Sequence, residues 1–276
     1  MAHRQACAKT APAARRRTLA RSILALLALF LLTLLAWHWL AGEGAGYDWH
    51  WRRVWRYVGH SGANGFVAGP LLRGIGVTAA ITGAGLILSL GLGLLAAGLR
   101  LSPWPVCALA ARIYVALWRN TPLLLQLFMA YFLLSPLLGL GPFWTAAWAL
   151  GLFEGAYFAE IFRAGILAVP KNQWEAALCL GFGLGQTFRL VILPQAAENV
   201  LPALTSQAVA LLKDSSLVSA IAVADLTLQS QAIVSETFLA FEVWLLAAAV
   251  YLCLALLISL PGLWLERLNP MKRSAA

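Results

Sequence analysis

The residues able to do chemistry in this 276-residue chain stand inside, or directly between, apolar stretches. Glu154 lies eleven residues into the apolar run from Phe143 to Ala168. At 1.5 Å per helical residue this is ~16 Å, the middle of a bilayer-spanning helix. An ionisable group there costs at least ~2.5–3.5 kcal/mol, so it faces a cavity or a partner. Two readings stand: contact with the ammonium group of a polar substrate, or a structural hydrogen bond to another helix. Tyr157 follows three residues on and shares the face of Glu154. Gln126 and Gln207 are amides in apolar runs; they either line the same cavity or bond between helices. These four residues form the candidate substrate pathway. Glu160 and Arg163 are three apart, a spacing that pairs them on one helix face. Lys213 and Asp214 are adjacent and read as a local ion pair that ends a helix. No nucleophile or metal ligand accompanies any of these groups, so they point to transport or structure and not to catalysis.

A second constellation is the polar island Lys171 to Pro194, which carries Lys171, Asn172, Gln173, Glu175, Gln186 and Arg189 between two apolar runs. Trp174 to Leu178 is a good helix former, and Gly181, Gly183 and Gly185 break the run. Phe182, Leu184, Phe188 and Leu190 set apolar anchors among the polar groups. A short helix with exposed anchors suits a groove on another protein. The alternative is a membrane-surface loop that packs only on its own chain.

The chain holds no nucleotide site of its own. None of Lys9, Lys171, Lys213 and Lys272 follows the glycines of a phosphate loop. The four histidines fall in the first 60 residues and form no His-Glu-x-x-His motif. Cys7, Cys107, Cys179 and Cys253 are scattered, without metal-ligand spacing, and read as reduced packing residues. No metal site and no cofactor is expected in this chain.

The elements that must position these groups are membrane helices. The chain is 61% hydrophobic and 11% charged, with mean hydropathy +0.79. A soluble domain carries roughly 25% charged residues. The net charge of +9 is concentrated at the ends of apolar runs, where it sets orientation, so it does not point to nucleic acid. Six spans are predicted: Ser22 to Leu40, Leu71 to Leu99, Ile113 to Leu134, Phe143 to Ala168, Gln195 to Leu212 and Phe241 to Leu260. The first reads as a retained helix ending in Trp37 and Trp39, with a cleaved signal peptide as the alternative. Gly42 to Gly69 reads as an aromatic interfacial segment outside the membrane core; Arg52, Arg53 and Arg56 there run against the positive-inside rule. Arg100 to Arg112 reads as a cytoplasmic loop, and Arg119 as a snorkelling residue near the inner interface. Thr78 and Thr82 are expected to return their hydroxyls to carbonyls of their own helix. Both termini are predicted to be cytoplasmic. The division expected is an N-terminal region 1–69 and a five-span core 70–276, with the island 171–194 as a cytoplasmic loop.

With these residues in place, the island resembles the EAA loop of ABC transporter permeases: Glu175-Ala176-Ala177, Gly181, then Val191-Ile192-Leu193-Pro194. Further stretches are similar to the polar amino-acid uptake subfamily, the histidine-, glutamine- and glutamate-type permeases. They are Arg119 to Leu124, Ala156 to Gly165, Gln173 to Ala196, and Leu211 to Val218. The similarity covers about residues 70 to 268. It departs at Asn120 and Asn172, which stand where the family has glycine, and at the additional N-terminal span. The resemblance implies an all-α polytopic protein of the type I ABC importer permease fold in a bacterial inner membrane. It also implies a separate ATPase pair using ATP and Mg, a second permease subunit, identical or similar, and an extracytoplasmic amino-acid-binding protein. Coupling to the ATPase would fall to Gln173, Glu175, Ala176, Ala177, Gly181, Leu193 and Pro194. Phe153 to Tyr157 is similar to glutamate/aspartate-type members; glutamine is the other substrate considered. A midplane carboxylate repels an acidic side chain and welcomes an α-ammonium. The competing class is a secondary amino-acid transporter driven by an ion gradient; such folds often carry inverted repeats, and none is visible here. A membrane enzyme is disfavoured by the lack of a catalytic grouping.

Overall fold

The computed structural model describes residues 47–62 and 65–268. The predicted span Ser22 to Leu40 lies outside the described residues. The chain divides into two compact units, Met1–His50 with Asn269–Ala276, and Trp51–Leu268. All the elements below belong to the larger unit, including residues 51–69, which the sequence groups with the N-terminal region.

This unit opens with α1 (Trp51–Val58) and a two-stranded antiparallel hairpin, β1 (Gly59–Gly62) and β2 (Gly65–Ala68). The rest of the described fold is helical, as expected, and the hairpin falls in the stretch expected to be an aromatic interfacial segment. It pairs Gly59 with Ala68 and Gly62 with Gly65, so the backbone of this short segment is satisfied without helix. Helix α1 buries Val54 against Leu71, Leu226 and Val243.

The long helices follow. They are α2 (Pro70–Leu101), α3 (Pro105–Arg119), α4 (Leu123–Met129), a π turn (Ala130–Leu134), α5 (Ser135–Leu138) and α6 (Pro142–Leu167). Proline opens α2, α3 and α6, where its missing N–H costs nothing and its fixed φ suits the first turn. The segment 171–214 holds α7 (Lys171–Cys179), α8 (Leu184–Thr187), a second π turn (Phe188–Ile192) and α9 (Leu193–Asp214). A 3-10 helix (Ser215–Ile221), α10 (Leu226–Thr237) and α11 (Ala240–Leu268) complete it.

Helices α2 and α6 form the centre. The buried face of α2 runs Leu71, Gly74, Thr78, Ile81, Gly85, Ser89, Gly93 and Ala96, a stripe at helical period. Its other face presents Ile87, Leu94 and Leu95 outward. Small residues let the two backbones approach: a Cβ on Gly93 would stand 2.6 Å from Phe158 Cβ, and one on Gly151 would stand 2.6 Å from Leu88 Cβ. Thr78 and Thr82 reach across, not along, their helix. Thr78 Oγ1 accepts from the Leu226 N–H at 3.1 Å, and Thr82 Oγ1 lies 3.4 Å from Ser215 Oγ. The Asp225 carboxylate accepts from the Leu228 N–H at 2.8 Å. Two free N–H groups of the first turn of α10 are thereby satisfied.

Two described helices are long and apolar enough to cross a membrane, Pro70–Leu101 and Ala240–Gly262. Two bent pairs raise the number to four if each is one span. One of them corrects the predicted span Ile113 to Leu134, which is broken: Pro105–Arg119 and Leu123–Leu138 meet at 103°. Pro122 is the cause, because it disfavours helical backbone at Thr121. The expected loop Arg100 to Arg112 shrinks to residues 102–104, since Pro105 starts a helix instead of lengthening a loop.

Candidate functional site

Helix α6 carries two carboxylates six residues apart, in opposite environments. Glu160 is the centre of a cationic cluster. Arg163 donates to its Oε2 from Nε at 3.0 Å and from Nη2 at 2.9 Å, a forked contact one turn away. Arg100, in the last turn of α2, donates to Oε1. Arg119, at the end of α3, brings Nη1 to 3.9 Å of the same oxygen and rests its guanidinium 4.9 Å from the ring centroid of Tyr157. One carboxylate therefore ties α2, α3 and α6 together. The sequence spacing identified only Arg163. Arg100 is 60 positions away and Arg119 is 41, so no local pattern could reveal them. Arg119 is partly exposed and also contacts the Tyr157 ring.

Glu154 is fully buried. Its Oε2 accepts from Gln207 Nε2 of α9 at 2.6 Å. Its buried Oε1 has no hydrogen-bond donor among the described residues, and the carboxyl of Asp214 comes within hydrogen-bonding reach of Glu154. Two carboxyls thus meet, one buried and one half-buried, and a hydrogen bond between them requires a proton on one. Lys213 makes no salt-bridge contact with Asp214 among the described residues, but its charge still acts on that carboxyl. Helix α9 does end at this pair, as expected, and a 3-10 helix continues from Ser215.

Of the remaining pathway candidates, Tyr157 is half-buried one turn below Glu154 and packs on Phe153 and Arg119. Gln126 serves the break between α3 and α4. Its Nε2 donates to the carbonyls of Trp118 at 3.0 Å and Thr121 at 3.2 Å, which the break leaves without helical partners. Its bonds are local to the bend and do not join it to Glu154.

The island 171–194 is built as a short exposed helix with a stiff stop. Glu175 and Ala176 are exposed, and Ala177 is buried. The end of α7 is a Schellman motif: the Gly181 N–H bonds Leu178 O at 3.0 Å and the Phe182 N–H bonds Ala177 O at 3.2 Å. Gly181 takes φ +85°, a conformation that costs other residues ~1–2 kcal/mol. This explains the glycine four residues after Ala177. Leu180 and Leu184 then stand 77% and 70% exposed, apolar groups with none of the described residues covering them. The base of the loop is anchored. Val169, Trp174, Phe188, Ile192 and Ala196 pack into one cluster, and Gln195 Nε2 lies 3.4 Å from Gln173 Oε1. Leu193 and Pro194 are exposed at the start of α9. Just above, a Cβ on Gly165 of α6 would collide with Val200 Cγ1 of α9, so this glycine sets the crossing of the two helices.

The island is thus an exposed capped helix strung between α6 and α9, in a chain that comparison with known proteins relates to a family. Residues 89–273 match the family described as the binding-protein-dependent transport system inner membrane component. The chain belongs to this family. It is an integral membrane permease of the ABC importers, a transport component and not an enzyme. It is 35% identical to the arginine transport system permease protein ArtQ of Bacillus subtilis over 199 residues, covering 71% of this chain and 91% of the relative. It is 36% identical to the glutamine transport system permease protein GlnP of Escherichia coli over 200 residues, covering 71% and 91%. The octopine transport system permease protein OccM of Rhizobium radiobacter is 35% identical, covering 67% of this chain and 80% of the relative. A crystal structure of an amino acid ABC transporter with histidines superposes at TM-score 0.72 with 33% identity, covering 81% of this chain and 100% of the other. A methionine ABC transporter in an inward-facing conformation shares the fold at TM-score 0.61 and 21% identity. The ion-gradient transporter considered from the sequence has no support in these relationships.

Proposed function

We propose that this permease imports polar amino acids, and that α7 carries the force of ATP hydrolysis from a separate ATPase. One observation carries the coupling part: a helix closed by a Schellman motif, with Glu175 exposed and Leu180 and Leu184 bare beside it, anchored at its base to the inner ends of both α6 and α9. Gln173, Glu175, Ala176, Ala177, Gly181, Leu193 and Pro194 form the docking element. The ATPase pair, which holds the ATP and Mg, binds to it. A second permease subunit completes the pathway, and an extracytoplasmic binding protein delivers the substrate. Both termini are cytoplasmic, in a bacterial inner membrane.

The cargo follows from Glu154. A buried carboxylate oxygen without a donor, facing a second carboxyl, is complementary to an ammonium group and repels an acid. This favours amino acids with a neutral or cationic side chain, such as glutamine, over glutamate and aspartate. Relatives named for arginine, glutamine and octopine transport are in keeping with it. In the resting arrangement Glu154 is sealed, so the substrate reaches it only when α6 and α9 part.

The test is uptake by proteoliposomes holding the permease, its ATPase and its binding protein. Internal ATP should be required, and an ion gradient alone should give no uptake. Glu175→Ala and Gly181→Leu should abolish uptake or release the ATPase while the permease still inserts. Normal uptake and normal ATPase association in both variants reject the coupling role.

A further inference from the structure

A cavity of about 350 Å³ opens beside the Glu160 cluster, lined by Arg100, Arg112, Arg119, Asn120, Tyr157 and Glu160. Its size falls within the ~300–1,000 Å³ of small-molecule sites. Three guanidiniums face one carboxylate. That carboxylate is already committed: Arg163 takes its Oε2 and Arg100 its Oε1. Arg119 stands beyond hydrogen-bond distance of it, at 3.9 Å. Neither Arg112 nor Arg119 donates a hydrogen bond to any described residue, and the Arg119 guanidinium carbon lies 4.9 Å from the Tyr157 ring centroid. A guanidinium that rests on a ring and spends no N–H on its own chain can meet a carboxylate in a two-pronged contact.

We infer that this cavity is a carboxylate site for the transported amino acid, with Arg119 as its fork and Arg112 as its second cation. The inference rests on the transport reading above. Tyr157 separates two spots of opposite sign on α6: the acidic pair Glu154–Asp214 above, and the basic cavity below. A zwitterion has the same two signs a few ångströms apart. Moving past Tyr157, it exchanges an ammonium contact for a carboxylate contact, so it never crosses the span with both charges bare. The same surplus of positive charge could instead hold the phosphate of an anionic lipid, and the test separates the two sources.

The full-length permease in nanodiscs is treated with phenylglyoxal, which modifies accessible guanidiniums, and Arg119 modification is followed by peptide mass spectrometry. The probe is an equimolar mixture of the common L-amino acids, compared with their amides, in which the carboxylate is neutral. In phosphatidylcholine nanodiscs the acids should slow Arg119 modification about tenfold, as a charge-assisted fork would, and the amides should not. Arg112→Gln removes an exposed side chain with no bond to a described residue, so folding is spared; it should cut the protection severalfold. Equal protection by acids and amides, or none by either, overturns the inference. So does protection by acetate alone at the same concentration. Protection that appears with phosphatidylglycerol and no amino acid assigns the site to lipid and overturns it as well. The assay uses no ATPase, so its failure beside normal ATP-driven uptake removes this site alone and leaves the transport reading standing.

Discussion

Glu154 and Glu160 are the same residue type on the same helix, two turns apart, and their surroundings assign them opposite tasks. Glu160 has three arginines from three helices around it and fastens α2, α3 and α6. Among the described residues Glu154 makes no ion pair; it has one amide partner and a second carboxyl close by. A fold gains nothing from an arrangement of the second kind, because buried charge normally needs a partner. The difference teaches that charge inside the span is not one category. A carboxylate saturated by its own chain is a fastener, and one left short of donors waits for a donor from elsewhere.

Removing Glu160 should have the largest effect on the fold. Glu160→Ala leaves three guanidiniums facing one another, and the loss should be roughly 3 kcal/mol, the low end for breaking a buried pair, since the side chain is partly exposed. The melting temperature of the purified permease reads this; an unchanged value would erase the contrast with Glu154. Glu154→Gln should do the reverse. Gln207 can still donate to the new amide oxygen, so the melting temperature should hold, while the apparent Km for uptake rises about tenfold through loss of one charged contact. If stability falls and Km does not move, Glu154 is a fastener too. Gly181→Ala sits outside both sites and should cost ~1 kcal/mol of local strain. Hydrogen exchange at residues 181 and 182 should quicken about fivefold, with both carboxylate sites undisturbed. The smallest effect belongs to Arg163→Gln. It removes a one-turn pair worth ~0.2–0.5 kcal/mol, because Arg100 still holds Glu160; a drop comparable to Glu160→Ala would show that Arg163, and not Arg100, carries the cluster.

The sequence reveals the parts of this molecule that are written locally. The expected span Leu71 to Leu99 is a helix from Pro70 to Leu101, and Phe143 to Ala168 is one from Pro142 to Leu167. Apolar length fixes such elements, and proline marks their starts. The short helix and the glycine stop of the island were equally legible, because a Schellman motif is a local device. The pairing of Glu160 with Arg163 follows from helix spacing, whereas its contacts with Arg100 and Arg119 depend on how three helices pack. Asp214 misled for the same reason: its neighbour in sequence is Lys213, but its neighbour in space is Glu154. The break at Asn120 to Pro122 was signalled by Pro122, yet the apolar runs on either side of Arg119 to Pro122 argued for a single span. The hairpin at 59–68 lies within Gly42 to Gly69, where the aromatic and basic residues signal an interfacial segment and no strand pairing.

The crossing of α6 and α9 at Gly165 and Val200 has one more consequence, which is mechanical. Below it, the cluster of Val169, Trp174, Phe188 and Ile192 joins the two helix ends to α7 like the handles of a pair of scissors. Above it, the blades meet at the 2.6 Å bond between Gln207 and Glu154. From Gly165 the handle arm to Val169 is ~6 Å, and the blade arm to Glu154 is ~16 Å. A rotation about this pivot that shifts the handles by ~1 Å would separate the blades by about 2–3 Å. That is enough to break the bond and open the buried carboxylate, so a small push on the exposed helix has leverage over a fully buried carboxyl.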